Sequence, residues 1–252
     1  MKRPFAVISG GSSGIGLALA RRLAARGYDL ALIARGEDRL RSAAAALGGT
    51  IEVHVVDVGD PAAIDRVATA ILARHPTIDL LVCNAGIPGR SGVLDVDPAR
   101  ARAVMDVNYH GMVGLTRALW PALMVSGGRV VNVCSVAGTV AIGASAPYTA
   151  SKHAALAWSR ALAGAAGRSG VRVLTVNPGP VATEGFPQTR LLERRQARRL
   201  VISADRCADA IVTALDRRRT EIFVPGWWRI VGVLQAIAPA TVARLGARMN
   251  AR

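Results

Sequence analysis

The sequence predicts a single doubly wound α/β domain: a seven-stranded parallel sheet, helices on both faces, and a C-terminal apolar helical tail. Three observations predict it. Short apolar runs alternate with stretches of helical periodicity as far as Val224. The short runs are apolar throughout, as strands buried on both faces must be. A glycine cluster falls between the first run and the first helix. At about 150 residues per domain, 252 residues allow one or two domains. No repeat, low-complexity segment or linker interrupts the alternation. We therefore read residues 1–226 as the domain and 227–252 as its tail.

The elements follow in order. Phe5–Ser9 is a short buried strand, and Leu17–Arg26 a helix ended by Gly27. Asp29–Ala34 is the second strand. Arg39–Leu47 is an Ala-rich helix closed by Gly48-Gly49. Ile51–Val56 is the third strand, and Pro61–Arg74 a helix with proline in its first turn. Leu80–Asn84 is the fourth strand. Pro98–Val125 is one long helical region stopped by Gly127-Gly128. Arg129–Ser135 is the fifth strand, Ala146–Gly167 a second long helix, and Val171–Asn177 the sixth strand, stopped by Pro178. Ala204–Arg217 is helical, and Glu221–Val224 is the seventh strand. Right-handed crossovers between parallel strands complete the doubly wound arrangement.

Composition excludes several classes. The chain is 51% hydrophobic and 19% charged, with mean hydropathy +0.31, so disorder is not its main state. No apolar run reaches the roughly 18 residues of a membrane span. The longest candidate, Ile230 to Leu245, is broken by Gly232, Gln235, Pro239 and Arg244. The apolar stretch after Met1-Lys2-Arg3 is too short for a signal peptide. Cys83, Cys134 and Cys207 stand far apart without a CxxC; this fits a reducing, cytoplasmic setting and argues against disulfides or zinc. His54, His75, His110 and His153 have no metal-ligand spacing, so no metal is expected.

The 32 basic residues against 17 acidic ones, net +15, invite a nucleic-acid reading. Yet they are scattered, and all except Lys2 and Lys152 are arginine. That looks like a coding bias, and no nucleic-acid partner is expected. It also singles out Lys152 in a chain that uses arginine almost everywhere a plain positive charge would do.

The glycine cluster reads Ser9-Gly10-Gly11-Ser12-Ser13-Gly14-Ile15-Gly16, directly between strand and helix. Glycines allow a tight turn and close approach to a pyrophosphate, and the helix N-terminus offers free N–H groups. The spacing is Gly-x3-Gly-x-Gly. With Asp57-Val58, Asn84-Ala85-Gly86, Asn108, Ser135, Tyr148-Thr-Ala-Ser-Lys152 and Pro178-Gly179 following in order, the chain resembles the classical short-chain dehydrogenase/reductase family over roughly residues 4–225. Ser9 stands where that family usually has threonine.

The resemblance implies a Rossmann-type domain and a homodimer or homotetramer. It implies a dinucleotide held by Gly10, Ser12, Ser13, Gly14, Ile15 and Gly16. By the same analogy Asp57 and Val58 lie at the adenine, and Asn84, Ala85 and Gly86 beside the adenosine ribose. Pro178, Gly179, Val181 and Thr183 would line the nicotinamide end. Strand two ends Ala34-Arg35, with no acid where one would bind a ribose 2′-hydroxyl. Arg35 can instead pair with a 2′-phosphate through two charge-assisted bonds. This pattern resembles members that prefer NADP(H) over NAD(H).

Tyr148 and Lys152 are four apart on a helix and share a face. A free tyrosine is a poor base, and a nearby ammonium would lower its pKa toward operating pH. Ser135 ends a strand at the carboxyl edge and could hold a substrate oxygen against Tyr148. A nucleophilic role for Ser135 fails for want of a GxSxG elbow or a Ser-His-Asp pattern. By resemblance, Asn108 kinks the long helix and holds a water beside Lys152. The catalytic set is thus Asn108, Ser135, Tyr148 and Lys152, with Tyr148 and Lys152 also meeting the cofactor. Cys134 is read as core.

The substrate is a ketone or secondary alcohol. The segment from Glu184 to Ser203 is by resemblance a mobile lid. The chain lacks the VDGG motif of many soluble oxoacyl-carrier-protein reductases and carries Ile222-Phe223-Val224-Pro225-Gly226-Trp227-Trp228 instead. It resembles, more weakly, members acting on bulky lipid-like ketones such as the 3-ketosphinganine reductases. The alternatives are a 3-oxoacyl-thioester reductase and a non-catalytic NADP(H) sensor. The tail is expected to lie away from the cofactor site. Its cover could be a partner subunit, a lipid-like substrate or the inner face of a membrane, with Pro239 splitting it into two short helices.

Overall fold

The computed structural model describes residues 3–141, 145–193, 195 and 197–242. The end of the expected tail, two positions of the expected lid (194 and 196), and Met1 and Lys2 lie outside the described residues, as do residues 142–144. The first strand, β1 (Phe5–Ser9), runs into α1 (Gly14–Ala25). It is followed by β2 (Asp29–Ala34), α2 (Glu37–Ala45), β3 (Ile51–Val55), α3 (Pro61–Arg74) and β4 (Leu80–Cys83). Next come α4 (Pro98–Met105), a π-helical turn at Asp106–His110, and α5 (Gly111–Ser126). The second half holds β5 (Arg129–Val133), α6 (Ala146–Ala166), β6 (Arg172–Pro178), β7 (Val181–Ala182), α7 (Thr189–Glu193), β8 (Ile202–Ser203), α8 (Ala204–Asp216), β9 (Glu221–Val224) and α9 (Trp228–Ile237).

Seven strands form one parallel sheet in the order β3-β2-β1-β4-β5-β6-β9. The order reverses between β1 and β4, and ligands of doubly wound sheets bind outside the strand carboxyl ends at such a point. All seven expected strands are present. The pair β7–β8 forms a separate two-stranded parallel ribbon that two residues apiece could not announce in sequence.

The sheet's pleat divides the core. Val7, Ala31, Ile33, Leu81, Val130 and Val173 pack on one face with α3, α5 and α6. Their neighbours Ile8, Leu30, Leu32, Leu80, Val131 and Leu174 pack on the other with α1 and α8. Each such side chain contributes roughly 1.5–3 kcal/mol on burial. Asp60 and Asp97 cap α3 and α4 immediately before a proline, accepting from Ala62 N at 2.9 Å and Ala99 N at 3.0 Å. On the α1–α8 face Arg22 pairs with Asp205 and Asp209 at 2.9 and 2.5 Å.

The helix ends depart from expectation in ways that matter. Helix α1 begins at Gly14, three residues before the apolar periodicity starts, so the glycine turn itself forms its first turn. The long region from Pro98 is interrupted by the π turn that contains Asn108. Strand β5 ends at Val133; Ser135 lies beyond it and caps a single turn, Val136–Gly138.

Ser9 joins the two halves of the sheet at the reversal. Its Oγ donates to Val82 O (3.3 Å) and accepts from Asn84 N (3.0 Å) and Ala85 N (3.2 Å). The family-style threonine is replaced without loss of the group that matters here. Ser9→Ala leaves both N–H groups short of an acceptor in a buried position. Unfolding in urea should show a loss of about 1–3 kcal/mol with an unchanged m-value.

Candidate active site

Every residue singled out in the sequence lies at or just beyond the carboxyl end of a strand, or on the helices facing that edge. At β1 the turn needs its glycines sterically. A Cβ on Gly16 would stand 2.2 Å from Gly10 O, so the helix start can cross the strand end only without a side chain there. Ser13, the residue before α1, makes no side-chain capping bond. The first N–H groups of a 12-residue helix therefore remain for an anion. Thr183 closes on this turn, its methyl 2.9 Å from where a Gly14 Cβ would be. Asn84 Nδ2 donates to Ser9 O and Gly10 O, both at 3.2 Å. This uncapped, glycine-walled edge fits a dinucleotide pyrophosphate.

At the β2 and β3 ends, Arg35 Nη1 is 3.4 Å from Asp57 Oδ2, and both groups are exposed. Asp57 Oδ1 accepts from Gly59 N at 2.8 Å. Val58 is buried, its carbonyl against Gly111 at the start of α5. Arg39 pairs with Glu184 beyond β7, joining this corner to the segment expected as a lid. The ends of that segment are tied by β7–β8 and by a Thr183–Phe186 bridge.

Beyond β5 the expected catalytic residues meet. The Tyr148 hydroxyl faces Ser135, which favours its ionised form and whose Oγ accepts from Ala137 N at 3.1 Å. Lys152 is buried, donates from Nζ to Val133 O at 3.0 Å, and lies 5.7 Å from the Tyr148 ring centre. Asn108 is buried in the π turn. Its Oδ1 accepts from Ile87 N at 2.8 Å, and its Nδ2 donates to Ile87 O (3.1 Å) and Ser151 Oγ (3.0 Å). The Asn108 amide is thus spent on the loop after β4 and on α6, not on Lys152. Cys134 is buried in the core, as read.

Two expectations need correction. Lys152 was to lower the Tyr148 pKa. Here burial dominates and pushes the phenol above its ordinary 10 to about 12, with the Ser135 hydroxyl opposing. Burial also lowers the Lys152 ammonium. Sequence spacing showed that the two share a face but not that Lys152 is buried and Tyr148 half-buried. The tail was to lie away from the nicotinamide end, yet the indole of Trp228, at the start of α9, rests on Gly179.

Sequence reasoning missed Ser151 and Phe186 as parts of this edge, and left the tail that holds Trp228 open between a partner subunit, a lipid-like substrate and a membrane. Ser151 links Asn108 to α6 and donates to Tyr148 O at 2.7 Å. Its signal was a serine on the buried helix face between Tyr148 and Lys152. Phe186 sets its ring 5.5 Å from that of Tyr148, and only tertiary structure brings it there.

Residues 4–193 match the family model described as short chain dehydrogenase. The chain belongs to the short-chain dehydrogenase family. A dehydrogenase of Streptomyces avermitilis, 1-deoxy-11-beta-hydroxypentalenate dehydrogenase, is 38% identical over 227 residues, covering 86% of this chain and 83% of that one. The granaticin polyketide synthase putative ketoacyl reductase 1 of Streptomyces violaceoruber is 36% identical over 187 residues, covering 72% and 69%. A short chain dehydrogenase from Burkholderia cenocepacia, solved in complex with NADP, superposes with a TM-score of 0.82 at 29% identity, covering 97% of this chain and 98% of that one. This short-chain dehydrogenase is an oxidoreductase that interconverts CH–OH and C=O groups with a nicotinamide dinucleotide. Among the described residues, no helix is long and apolar enough to cross a membrane.

A phenol whose folded-state pKa is raised ionises later than an exposed one. Its stabilising burial is full below about pH 10 and lost as pH climbs toward about 12. An ultraviolet tyrosinate titration, wild type minus Tyr148→Phe, should show Tyr148 still protonated at about pH 10.

Proposed function

We propose that the protein transfers a hydride between NADP(H), preferred over NAD(H), and a hydrophobic ketone or the matching secondary alcohol. The observation that carries this reading is the convergence of the Tyr148 and Ser135 hydroxyls at the strand edge, with the Lys152 ammonium buried behind them. A binding module would need none of these groups, so they favour an enzyme over an NADP(H) sensor.

When bound, NADP(H) supplies or accepts the hydride at the substrate carbon. The pyrophosphate would sit on Gly10, Ser12, Ser13, Gly14, Ile15 and Gly16. The adenosine would lie by Arg35, Asp57, Val58, Asn84, Ala85 and Gly86, and the nicotinamide by Pro178, Gly179, Val181 and Thr183. In reduction, Ser135 orients the carbonyl oxygen and Tyr148 gives it the phenol proton as the C–O double bond becomes a C–H and an O–H. In oxidation the same proton returns to Tyr148. The raised Tyr148 pKa keeps the phenol protonated at neutral pH, the form that reduction uses. Lys152 offers donors toward the cofactor ribose and helps carry charge when Tyr148 loses its proton. Asn108 positions, holding the loop after β4 against α6.

Phe186 and Trp228 give the edge an apolar wall, which supports a hydrophobic substrate. The polyketide ketoacyl reductase relative supports a second reading, reduction of a 3-oxoacyl thioester. Assaying NADPH oxidation with ring ketones, long-chain ketones and a 3-oxoacyl thioester separates the two.

On a verified substrate, Tyr148→Phe should lower kcat by about a hundredfold or more, the scale of a general acid, while NADPH binds nearly as before. Retention of most of the turnover would remove Tyr148 from the chemistry.

Cofactor choice has its own test. Losing one charge-assisted, exposed phosphate contact should cost on the order of 1.5–3 kcal/mol, or tenfold and more in affinity. Arg35→Ala should therefore weaken NADPH at least tenfold more than NADH in parallel fluorescence titrations. Equal losses would assign Arg35 to the surface.

A further inference from the structure

The tail contains the least expected contact in the molecule. Trp228 opens α9, and the chain before it is tied to the sheet edge by Gly179 N donating to Val224 O at 2.9 Å. The indole packs against Gly179 with its ring nitrogen nearest. A Cβ at that position would be 2.2 Å from Trp228 Nε1 and within 2.9 Å of two further indole atoms. The glycine of the Pro178-Gly179 pair is thus required by this tryptophan, whatever else uses it. One turn on, Gly232 lets α9 close on Thr139, with a Cβ there only 3.0 Å from the threonine side chain. Thr139 follows the turn capped by Ser135. Helix α9 therefore lies across the ends of β5 and β6, where the site is built.

Stability of the ligand-free fold does not explain a tryptophan here. Nε1–H is sealed from water and has no acceptor among the described residues, and an unmet buried donor destabilises. A phenylalanine would cover Gly179 without that cost. The adjoining Trp227 stacks on Trp228 at 4.3 Å and is itself 42% exposed. What tryptophan adds is a broad, rigid aromatic face at the reacting edge, with Phe186 against Tyr148 as a second aromatic ring. Side chains of this kind receive flat apolar groups.

We propose that Trp228 is a substrate-specificity residue whose indole walls the nicotinamide end of the cleft and receives the apolar, ring-bearing body of the ketone. This rests on the functional reading above and narrows it from hydrophobic carbonyl compounds to ring ketones. It makes the start of the tail part of the active site.

The test compares the bicyclic ketone decalone with the small ketone cyclopentanone, in the full-length wild type, Trp228→Ala and Trp228→Phe. The readouts are kcat/KM with NADPH, NADPH affinity by fluorescence titration, and calorimetric binding of decalone to protein saturated with NADP+. In Trp228→Ala the decalone-to-cyclopentanone ratio of kcat/KM should fall at least tenfold. Trp228→Phe, which keeps a smaller aromatic ring, should fall between wild type and Trp228→Ala, while the NADPH affinity of both variants stays within about threefold of wild type. An unchanged ratio in Trp228→Ala, equal losses for both ketones, or a loss confined to NADPH affinity would each overturn the assignment. So would a wild type that neither binds nor reduces decalone. A wild type that binds decalone without reducing it refutes the catalytic reading instead. Trp228 is then judged by whether Trp228→Ala weakens that binding tenfold.

Discussion

The site depends on one buried charge. Lys152 is only 5% exposed, and an ammonium withdrawn from water is costly unless it is held by hydrogen bonds. Val133 O takes one of its three donors, fixing α6 against the end of β5. Tyr148, one turn earlier on the same face, is thereby carried to Ser135 beyond the same strand. Burial shifts Tyr148 and Lys152 in opposite directions, up for the phenol and down for the ammonium, so both neutral forms gain. The same low dielectric therefore moves their proton affinities apart, so that the phenol keeps its proton more firmly and the ammonium holds its own less firmly than in water.

That arrangement is tied to the sheet reversal by a chain of hydrogen bonds. Ser9 holds Asn84 and Ala85 at the end of β4. Three residues on, Ile87 is gripped through both N–H and C=O by Asn108. Asn108 continues to Ser151, and Ser151 to the main chain of Tyr148. The path runs from the glycine turn to α6 through the side chains of Ser9, Asn108 and Ser151, with main-chain residues 84–87 between the first two. It also gives the π turn a purpose. A widened turn places Asn108 at once against the loop and against α6, and such turns recur at functional sites.

Most of this was legible in the sequence, for identifiable reasons. The seven main strands could be read because the central ones are nearly continuous apolar runs, and the edge strands β3 and β9 still stand out as short β-branched or aromatic runs between helices. The glycine turn could be read because its spacing is sterically demanded, as Gly16 shows. The helix start was placed too late because the first turn of α1 is glycine, which carries no periodicity. The π turn and the two-residue strands β7 and β8 leave no periodic trace at all. The proton affinity of Tyr148 was misjudged because spacing reveals which side chains are neighbours but not how far water has been excluded. Trp228 was placed away from the cofactor end because it follows the last strand; only β9 lying beside β6 returns it to Gly179.

On the NADP reading, the corner at the ends of β2 and β3 would receive a phosphate with arginines that are already loosely paired. Arg35 faces Asp57 at 3.4 Å, and both are exposed, a pair worth at most about 1 kcal/mol. Arg39 is engaged by Glu184 on the far side of the cleft, again between exposed groups. On the NADP reading, a 2′-phosphate would compete with two carboxylates, each weakly held. It brings nearly two charges and three acceptor oxygens, and arginine can meet such a group in a bidentate manner. The carboxylates would then hold the guanidinium groups near the adenosine end in the ligand-free protein and yield them at little cost. Preference for the phosphorylated cofactor would come from this weak prior pairing as much as from the missing acid at Ala34. On that reading the Arg39–Glu184 pair would also connect adenosine recognition to the chain that follows β7.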